Sequence, residues 1–267
     1  GTGLAARLVR AWSLLLGAVT VAGTYALGRL LLPAWPALAT IAALVVVLNP
    51  QFLFVSGAIN NDNLVTALAT VALVLLVRVV GRGVSWPLLI ALALTLALAA
   101  LAKASGLALY PVVMAGLLYV CWRDRVPARW VAAYALVGLL AFVVIAGWWY
   151  LDNWRQFGDP TASSQVAQAT APRTGPVDWP GELRGLFYSF WGLFGWFNIA
   201  APGIFYAWAA LFLLVAAVGG AWQMRRHGAP WRINGASGFR HESATASHQP
   251  GVCAWSGWQR GPVIICA

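Results

Sequence analysis

Apolar residues run along this chain in long blocks, separated by short polar or proline-containing joints. Seven blocks stand out, at about 11–32, 34–50, 64–80, 86–102, 104–121, 130–151 and 199–222. Several are close to the short end of the about 17–25 residues that a helix needs to cross a bilayer. Glycine and proline inside them do not disqualify a membrane helix, because neighbouring helices satisfy the freed backbone groups. Small residues such as Gly17, Gly23, Ala93, Ala99 and Gly138 allow close helix approach. The pattern predicts an all-α, polytopic transmembrane helical bundle over residues 1–227 with about seven spans.

Composition agrees with the pattern. Hydrophobic residues make up 61% and charged residues only 9% of 267, with a mean hydropathy of +0.76. A soluble protein has roughly 25% charged residues, so this chain lacks the charge to cover a water-facing surface. The first block follows Arg7 and Arg10, as in a signal peptide. It has no convincing cleavage site, and further spans follow it, so it reads as a retained helix.

The net charge of +10 points to membrane orientation and not to nucleic acid, because most arginines sit in short loops beside apolar blocks. With the first joint inside and strict alternation, Arg29, Arg78, Arg82, Arg123, Arg125, Arg129, Arg225 and Arg226 fall on the cytoplasmic side. Asp62, Lys103 and the segment 152–198 then share the opposite face. Cys121, Cys253 and Cys266 have neither metal-ligand nor redox-pair spacing.

Four constellations carry the chemistry. The first runs from Asn49-Pro50 to Asn60-Asn61-Asp62-Asn63, where Asp62 is the only acidic residue in the first 123 positions. A carboxylate in such surroundings needs water, a cation or a ligand. Either Asn60 or Asp62 could instead cap the helix that begins near Leu64. Phe52 and Phe54 read as interface anchors. The second is Lys103, which either snorkels to headgroups or meets a phosphate as a point charge. The third is the run 147–160, an aromatic belt of Trp148, Trp149, Tyr150 and Trp154 that also holds Asp152, Asn153 and Arg155, as a substrate-facing loop would. The fourth, 187–198, interleaves aromatics with glycine and reads as an amphipathic interfacial segment, with Trp191 and Asn198 able to meet a ligand. There is no P-loop, dinucleotide fingerprint, HExxH or serine elbow in the chain.

Asn49-Pro50 through Asn60-Asn61-Asp62-Asn63-Leu64, Leu101-Ala102-Lys103-Ala104-Ser105-Gly106 with Pro111, Gly147-Trp148-Trp149-Tyr150-Leu151 with Gly158-Asp159-Pro160, and Ser189-Phe190-Trp191-Gly192 with Asn198 resemble, in that order, the multi-pass glycosyltransferases of GT-C type. The nearest kinds are bacterial relatives of the protein O-mannosyltransferases and of the lipid A aminoarabinose transferases. The resemblance spans roughly residues 8–225 and implies a GT-C-like helical core with interfacial helices in the extracytoplasmic loops. It also implies transfer of a sugar from a polyprenyl-phosphate donor to a lipid, glycan or protein acceptor, outside the bacterial cytoplasmic membrane. In this reading Asp62 is the catalytic carboxylate, and Lys103 meets the carrier phosphate. Asn60, Asn61, Asn63, Asn153, Arg155, Trp191 and Asn198 contact substrate, and Asp62 is able to hold a divalent cation, magnesium or manganese. Asp62 and Lys103 are expected to open into one cavity roofed by 152–198.

Two departures from that family matter. Its leading carboxylate lies in the loop after the first span, and nothing acidic precedes Asp62 here. Position 152, often basic in such enzymes, is Asp152. The chain is therefore expected to be a fragment, with residues 228–267 a poorly ordered tail arising from truncation or a frame change. The competing readings are a multi-pass transporter, whose site would sit near the midplane, often within an internal repeat, and a non-catalytic membrane scaffold.

Overall fold

The computed structural model describes residues 2–169, 175–195 and 198–227. The predicted break at 227/228 and the character of 228–267, like Trp196 and Phe197, lie outside the described residues.

The chain opens with a 30-residue helix α1, Thr2–Leu31, about 45 Å long at 1.5 Å per residue. Pro36 and Pro50 occupy the first turns of α2 (Pro36–Val47) and α3 (Pro50–Gly57), where a missing N–H costs nothing. These two helices bend against each other by 59°. The block 34–50 is therefore not one straight span: α2 is only about 18 Å long and needs α3 to approach the roughly 30 Å of a bilayer core. A Cβ on Gly28 would come within 2.8 Å of Ala39, and one on Gly17 within 3.0 Å of Ser56. The bent pair thus climbs back along α1 in the opposite direction.

Helix α4, Asp62–Arg82, crosses beside α1, with Gly23 so close to Thr70 that a Cβ would lie 2.6 Å from its methyl group. Helix α5, Trp86–Ala102, returns and ends at Lys103, and a single-turn 3₁₀ segment, Ala104–Ala108, leads into α6, Leu109–Asp124. Helix α7, Ala128–Phe142, passes through a π-helical turn, Val143–Gly147, into α8, Trp148–Phe157. Residues 152–157 are therefore helix and not the expected loop; past Leu151, Asn153 is the buried residue of α8, while Trp154 and Phe157 face outward. Gly158 then closes the helix in a left-handed conformation, φ +68°.

A short helix α9, Ser163–Ala169, and helix α10, Trp179–Trp191, follow. The expected single amphipathic segment at 187–198 is instead the end of α10 and a small antiparallel hairpin, β1 (Leu193–Phe194) with β2 (Ile199–Ala200). Gly192 stops the helix, and the last span begins only at α11, Gly203–His227.

The main core lies where α4, α5, α6 and α7 meet, around Ala72, Leu75, Leu76, Val79, Leu92, Leu96, Leu117, Val120 and Tyr134. Ala93 and Ala99 are buried as expected, but a Cβ on Gly138 would meet nothing within 4 Å, so that glycine is no contact point. Large apolar side chains such as Leu8, Trp12, Val144, Trp208 and Leu214 face outward, as they do when the surroundings are lipid. Five described helices are long and apolar enough to cross a membrane, or six if the bent pair counts as one span, and the 17-residue α5 is a shorter apolar helix beside them. The architecture is an all-α, multi-spanning membrane bundle.

Candidate functional site

The polar residues 60–63 mostly serve the backbone. Asn60 Oδ1 accepts from the Asn63 N–H at 3.3 Å and so caps the first turn of α4. Asn63 is buried, and its amide donates to the carbonyls of Val55 at 3.0 Å and Ala58 at 3.3 Å, tying α3 to α4. Asn61 Nδ2 donates to Ala102 O at 3.0 Å, closing the start of α4 onto the end of α5. Asp62 does not cap. It is the first residue of α4, where its charge faces the positive end of the helix dipole.

Lys103 Nζ pairs with Asp62 Oδ1, and both side chains remain half-exposed. Two residues far apart in sequence, the lone early carboxylate and the lysine at the foot of α5, thus meet in direct contact. The pairing follows from the α4–α5 hairpin, whose start and end lie at the same end of the bundle. Gly106 is buried under the turn after Lys103; a Cβ there would lie 2.3 Å from Ala99 O. At the same end, Tyr150 Oη of α8 donates to Ala100 O at 2.9 Å.

The remaining predicted site residues go elsewhere. Asn153 is buried and donates to Pro160 O at 3.2 Å, which holds the turn after α8. Arg155 is exposed on α8, where Gln156 and Asp152 bond to each other at 2.7 Å. Trp191 is buried with Tyr206 and Ala209 of α11. Asn198 is exposed, and its N–H donates to Phe194 O at 3.2 Å across the hairpin. None of these four is bonded to Asp62 or Lys103, and within the expected roof of 152–198 it is Phe190 and Leu193 that dock, on Asn49 and Gln51.

That docking is built by two side chains to which the sequence reading assigned no role. Asn49 accepts from the Phe52 N–H through Oδ1 and donates through Nδ2 to Phe190 O, both at 3.1 Å. Gln51 Oε1 accepts from Leu193 N–H at 2.9 Å. Both are buried, and Phe54 meets Phe194 edge-on at 5.5 Å, so Phe54 serves this docking as well as facing outward. Asn before Pro signals a helix start, which is readable in sequence; the partner 141 residues away is not. Farther along, Asp159 accepts from the Ser164 N–H, the Ser163 hydroxyl, and the N–H and hydroxyl of Thr161. These bonds, led by that from Ser164, hold its carboxyl well below the usual carboxylate range.

Among the cavities of the described residues, an apolar groove of about 590 Å³ lies between α1, α2 and α3. Another of about 270 Å³ lies between α2, α10 and α11, and a small one of about 50 Å³ lies inside α5, α6 and α7. Neither Asp62 nor Lys103 lines any of these. No group of three or more His, Cys, Asp or Glu side chains with metal-binding proximity occurs among the described residues. Any divalent cation at Asp62 would draw its remaining oxygen ligands from a substrate or from water.

Helices of this length and composition, packed by small residues and closed by an ion pair at one end, define a polytopic integral membrane protein. The chain belongs to the family described as "Predicted membrane protein (DUF2142)", which matches residues 5–235. No curated protein and no solved structure matches it. The family description states membrane residence and names no activity, so the GT-C identity stays an inference from the resemblance.

Proposed function

We propose that the chain forms part of a GT-C type glycosyltransferase of a bacterial cytoplasmic membrane. It would take a sugar from a polyprenyl-phosphate donor to a lipid, glycan or protein acceptor on the extracytoplasmic face. The observation that supports this reading is the meeting of Asp62 and Lys103, half-exposed at one end of the bundle. Lys103 carries three ammonium donors, so bonding to Asp62 leaves two for a phosphate. In the reaction an acceptor oxygen forms a bond to the anomeric carbon as the bond to the carrier phosphate breaks. The acceptor proton passes to a carboxylate, and the ammonium stabilises charge growing on the leaving phosphate.

A second reading, a non-catalytic membrane scaffold or a transporter, has the more direct support from the described residues. Each charge of the pair is satisfied by the other, and neither lines a cavity described above. Between those two, the scaffold fits better, because the polar side chains gather at one end and not near the midplane.

The deciding experiment complements a deletion strain with the intact parent gene, carrying wild type, Asp62→Asn or Lys103→Gln, and profiles envelope glycans by mass spectrometry alongside protein abundance. The glycosyltransferase reading expects a glycan lost in the deletion to stay lost with both variants at normal abundance. Restoration of the full profile by both variants, or no glycan difference in the deletion itself, overturns it in favour of the scaffold.

A further inference from the structure

The groove between α1, α2 and α3 is open to the outside and lined almost wholly by apolar side chains, among them Leu14, Tyr25 and Phe52. Two of its hydroxyl-bearing residues already have partners. Tyr25 Oη accepts from Arg29 at 3.4 Å, and Thr40 Oγ1 donates to Pro36 O at 3.3 Å. Ser56 differs: it lines the groove, is 3% exposed, and its Oγ has no hydrogen-bond partner. A buried hydroxyl left unpaired costs about 1–3 kcal/mol, so an acceptor at this point is favoured. Gly17 faces it from α1 without a side chain; a Cβ there would stand 3.0 Å from Ser56 Oγ.

The depth of the groove can be read from helix geometry. Helix α4 is 21 residues long, about 31 Å, which matches the roughly 30 Å hydrocarbon core, so Asp62 stands at one interface. Thr70 lies about 12 Å below Asp62 and packs against Gly23 of the parallel α1. Counting back six residues along α1 puts Gly17, and with it Ser56, within about 3 Å of the level of Asp62. Tyr25, at the other end of the groove, falls about 15 Å below that level, at the bilayer middle. The groove therefore runs from the ester region of one leaflet down to the midplane.

We propose that it holds one acyl chain of a bilayer diacyl phospholipid, with an ester carbonyl accepting a hydrogen bond from Ser56. A one-leaflet length suits a single lipid tail, whereas a neighbouring helix would continue across both leaflets. The acceptor at the interface end selects an ester lipid, because the hydrocarbon of a prenyl chain offers no oxygen there. This site is independent of the glycosyltransferase reading and of the Asp62–Lys103 pair. Lipid held there fixes α3, and through Asn63 the start of α4.

The test uses the full chain in nanodiscs of phosphatidylethanolamine and phosphatidylglycerol doped with a phospholipid carrying a photoreactive diazirine on one acyl chain. Adducts are mapped by peptide mass spectrometry. Wild type should label most strongly on α1 and α3 along the groove. Ser56→Ala should lower that labelling about fivefold, the worth of one hydrogen bond of about 1 kcal/mol. Ala22→Phe, which fills the groove from an exposed position, should abolish it, while Leu98→Phe on the outer side of α5 leaves it unchanged. Ser56→Ala and Ala22→Phe must keep the wild-type melting temperature within about 3 °C, about what 1 kcal/mol shifts in a domain of this size. Equal labelling of all outward-facing helices, or labelling indifferent to Ser56→Ala and Ala22→Phe, overturns the site. Displacement by a polyprenyl phosphate but not by unlabelled phospholipid assigns the groove to a prenyl chain and overturns the ester-lipid proposal. A crosslink between two copies of the chain overturns it in favour of a protein partner.

Discussion

The two ends of the bundle are held in different ways. At the end that carries Arg29, Arg82 and Arg123, side chains find neighbours close in sequence or on the adjacent helix. Arg123 forms a two-pronged pair with Asp124, at 2.6 and 2.8 Å, and lies over the Tyr119 ring at 5.7 Å. Trp86 and Trp130 meet at 5.4 Å, their rings tilted by 51°, where α5 and α7 begin. At the other end the ties reach across the chain: Asn49 to Phe190, Gln51 to Leu193, Asn61 to Ala102, Lys103 to Asp62 and Tyr150 to Ala100. The basic end leaves two buried guanidinium nitrogens, Arg78 Nε and Arg123 Nη1, without a hydrogen-bond partner. The other end closes helix starts and stops against one another, using backbone groups that helix ends leave unpaired.

The largest test of this contrast is Gly106→Ala. The new methyl would sit 2.3 Å from Ala99 O, so the joint between α5 and α6 has to move. Overpacking of this kind costs about 1–3 kcal/mol, and the upper part of that range is expected in thermal melts of the protein in detergent. Gly138→Ala, with nothing within 4 Å of the added carbon, should leave the melt unchanged. Equal effects of the two would mean that the joint is not tightly closed.

Asn49→Ala comes next. It removes the cap of α3 and the bond to Phe190 together, for a loss of about 2 kcal/mol by analogy with helix caps. Asn49→Asp separates the two roles: the cap oxygen remains, but the donor to Phe190 O is gone. The aspartate variant should retain about half of the lost stability and still show faster hydrogen exchange around residues 190–194. Normal exchange there would show that the docking rests on the aromatic contacts alone.

A smaller effect is expected for the ion pair. Asp62 and Lys103 are both half-exposed, so a double-mutant cycle of Asp62→Asn and Lys103→Gln should give a coupling of about 0.2–1 kcal/mol, weakening with salt. A much larger coupling would mark a pair more shielded than its exposure indicates. Arg125 at the basic end sits at φ +51°, a conformation that costs a side-chain-bearing residue about 1–2 kcal/mol. Part of that cost is offset by the unfolded-state freedom of glycine, so Arg125→Gly should raise stability slightly despite the lost charge.

The least effect is a local one at Asp159. Its folded pKa is lowered, so the cap on α9 is complete above the ordinary carboxylate pKa of about 3.9 and is lost only as pH falls further, through the lowered value. Protection of the Thr161 and Ser164 amides should therefore hold steady from pH 7 to about pH 4 and vanish in Asp159→Ala. A decline already near pH 6 would mean that the carboxylate is not the acceptor.

The apolar spans were legible in the sequence, because burial in lipid demands long apolar runs and leaves few places for charge, but about seven was too many: five described helices are long and apolar enough to cross, or six with the bent pair as one span. Each of the seven blocks corresponds to a helix or a bent pair in the structure. The course of 34–57 was not legible: Pro50 announces a break, but whether a new helix follows depends on what Asn49 and Phe52 can bond. The run 187–198 was misjudged for a similar reason. Aromatic content suits a helix lying in the interface equally well, and only the bonds from Tyr206 to Gly192 and from Leu193 to Gln51 turn the chain into a hairpin.

By itself, then, the sequence determined that this is a multi-spanning membrane protein with a lone early carboxylate and a lysine on one side. Hydropathy and charge act residue by residue, so they can be read residue by residue. Only the tertiary structure decided that Asn60, not Asp62, caps α4, and that Asp62 is spoken for by Lys103. It also decided that Asn63 and Asn153 work as internal ties, while Asn49 and Gln51 hold the segment expected over the pair. Those outcomes depend on which carbonyl or N–H happens to be left unpaired nearby, and backbone groups of every residue look alike in sequence.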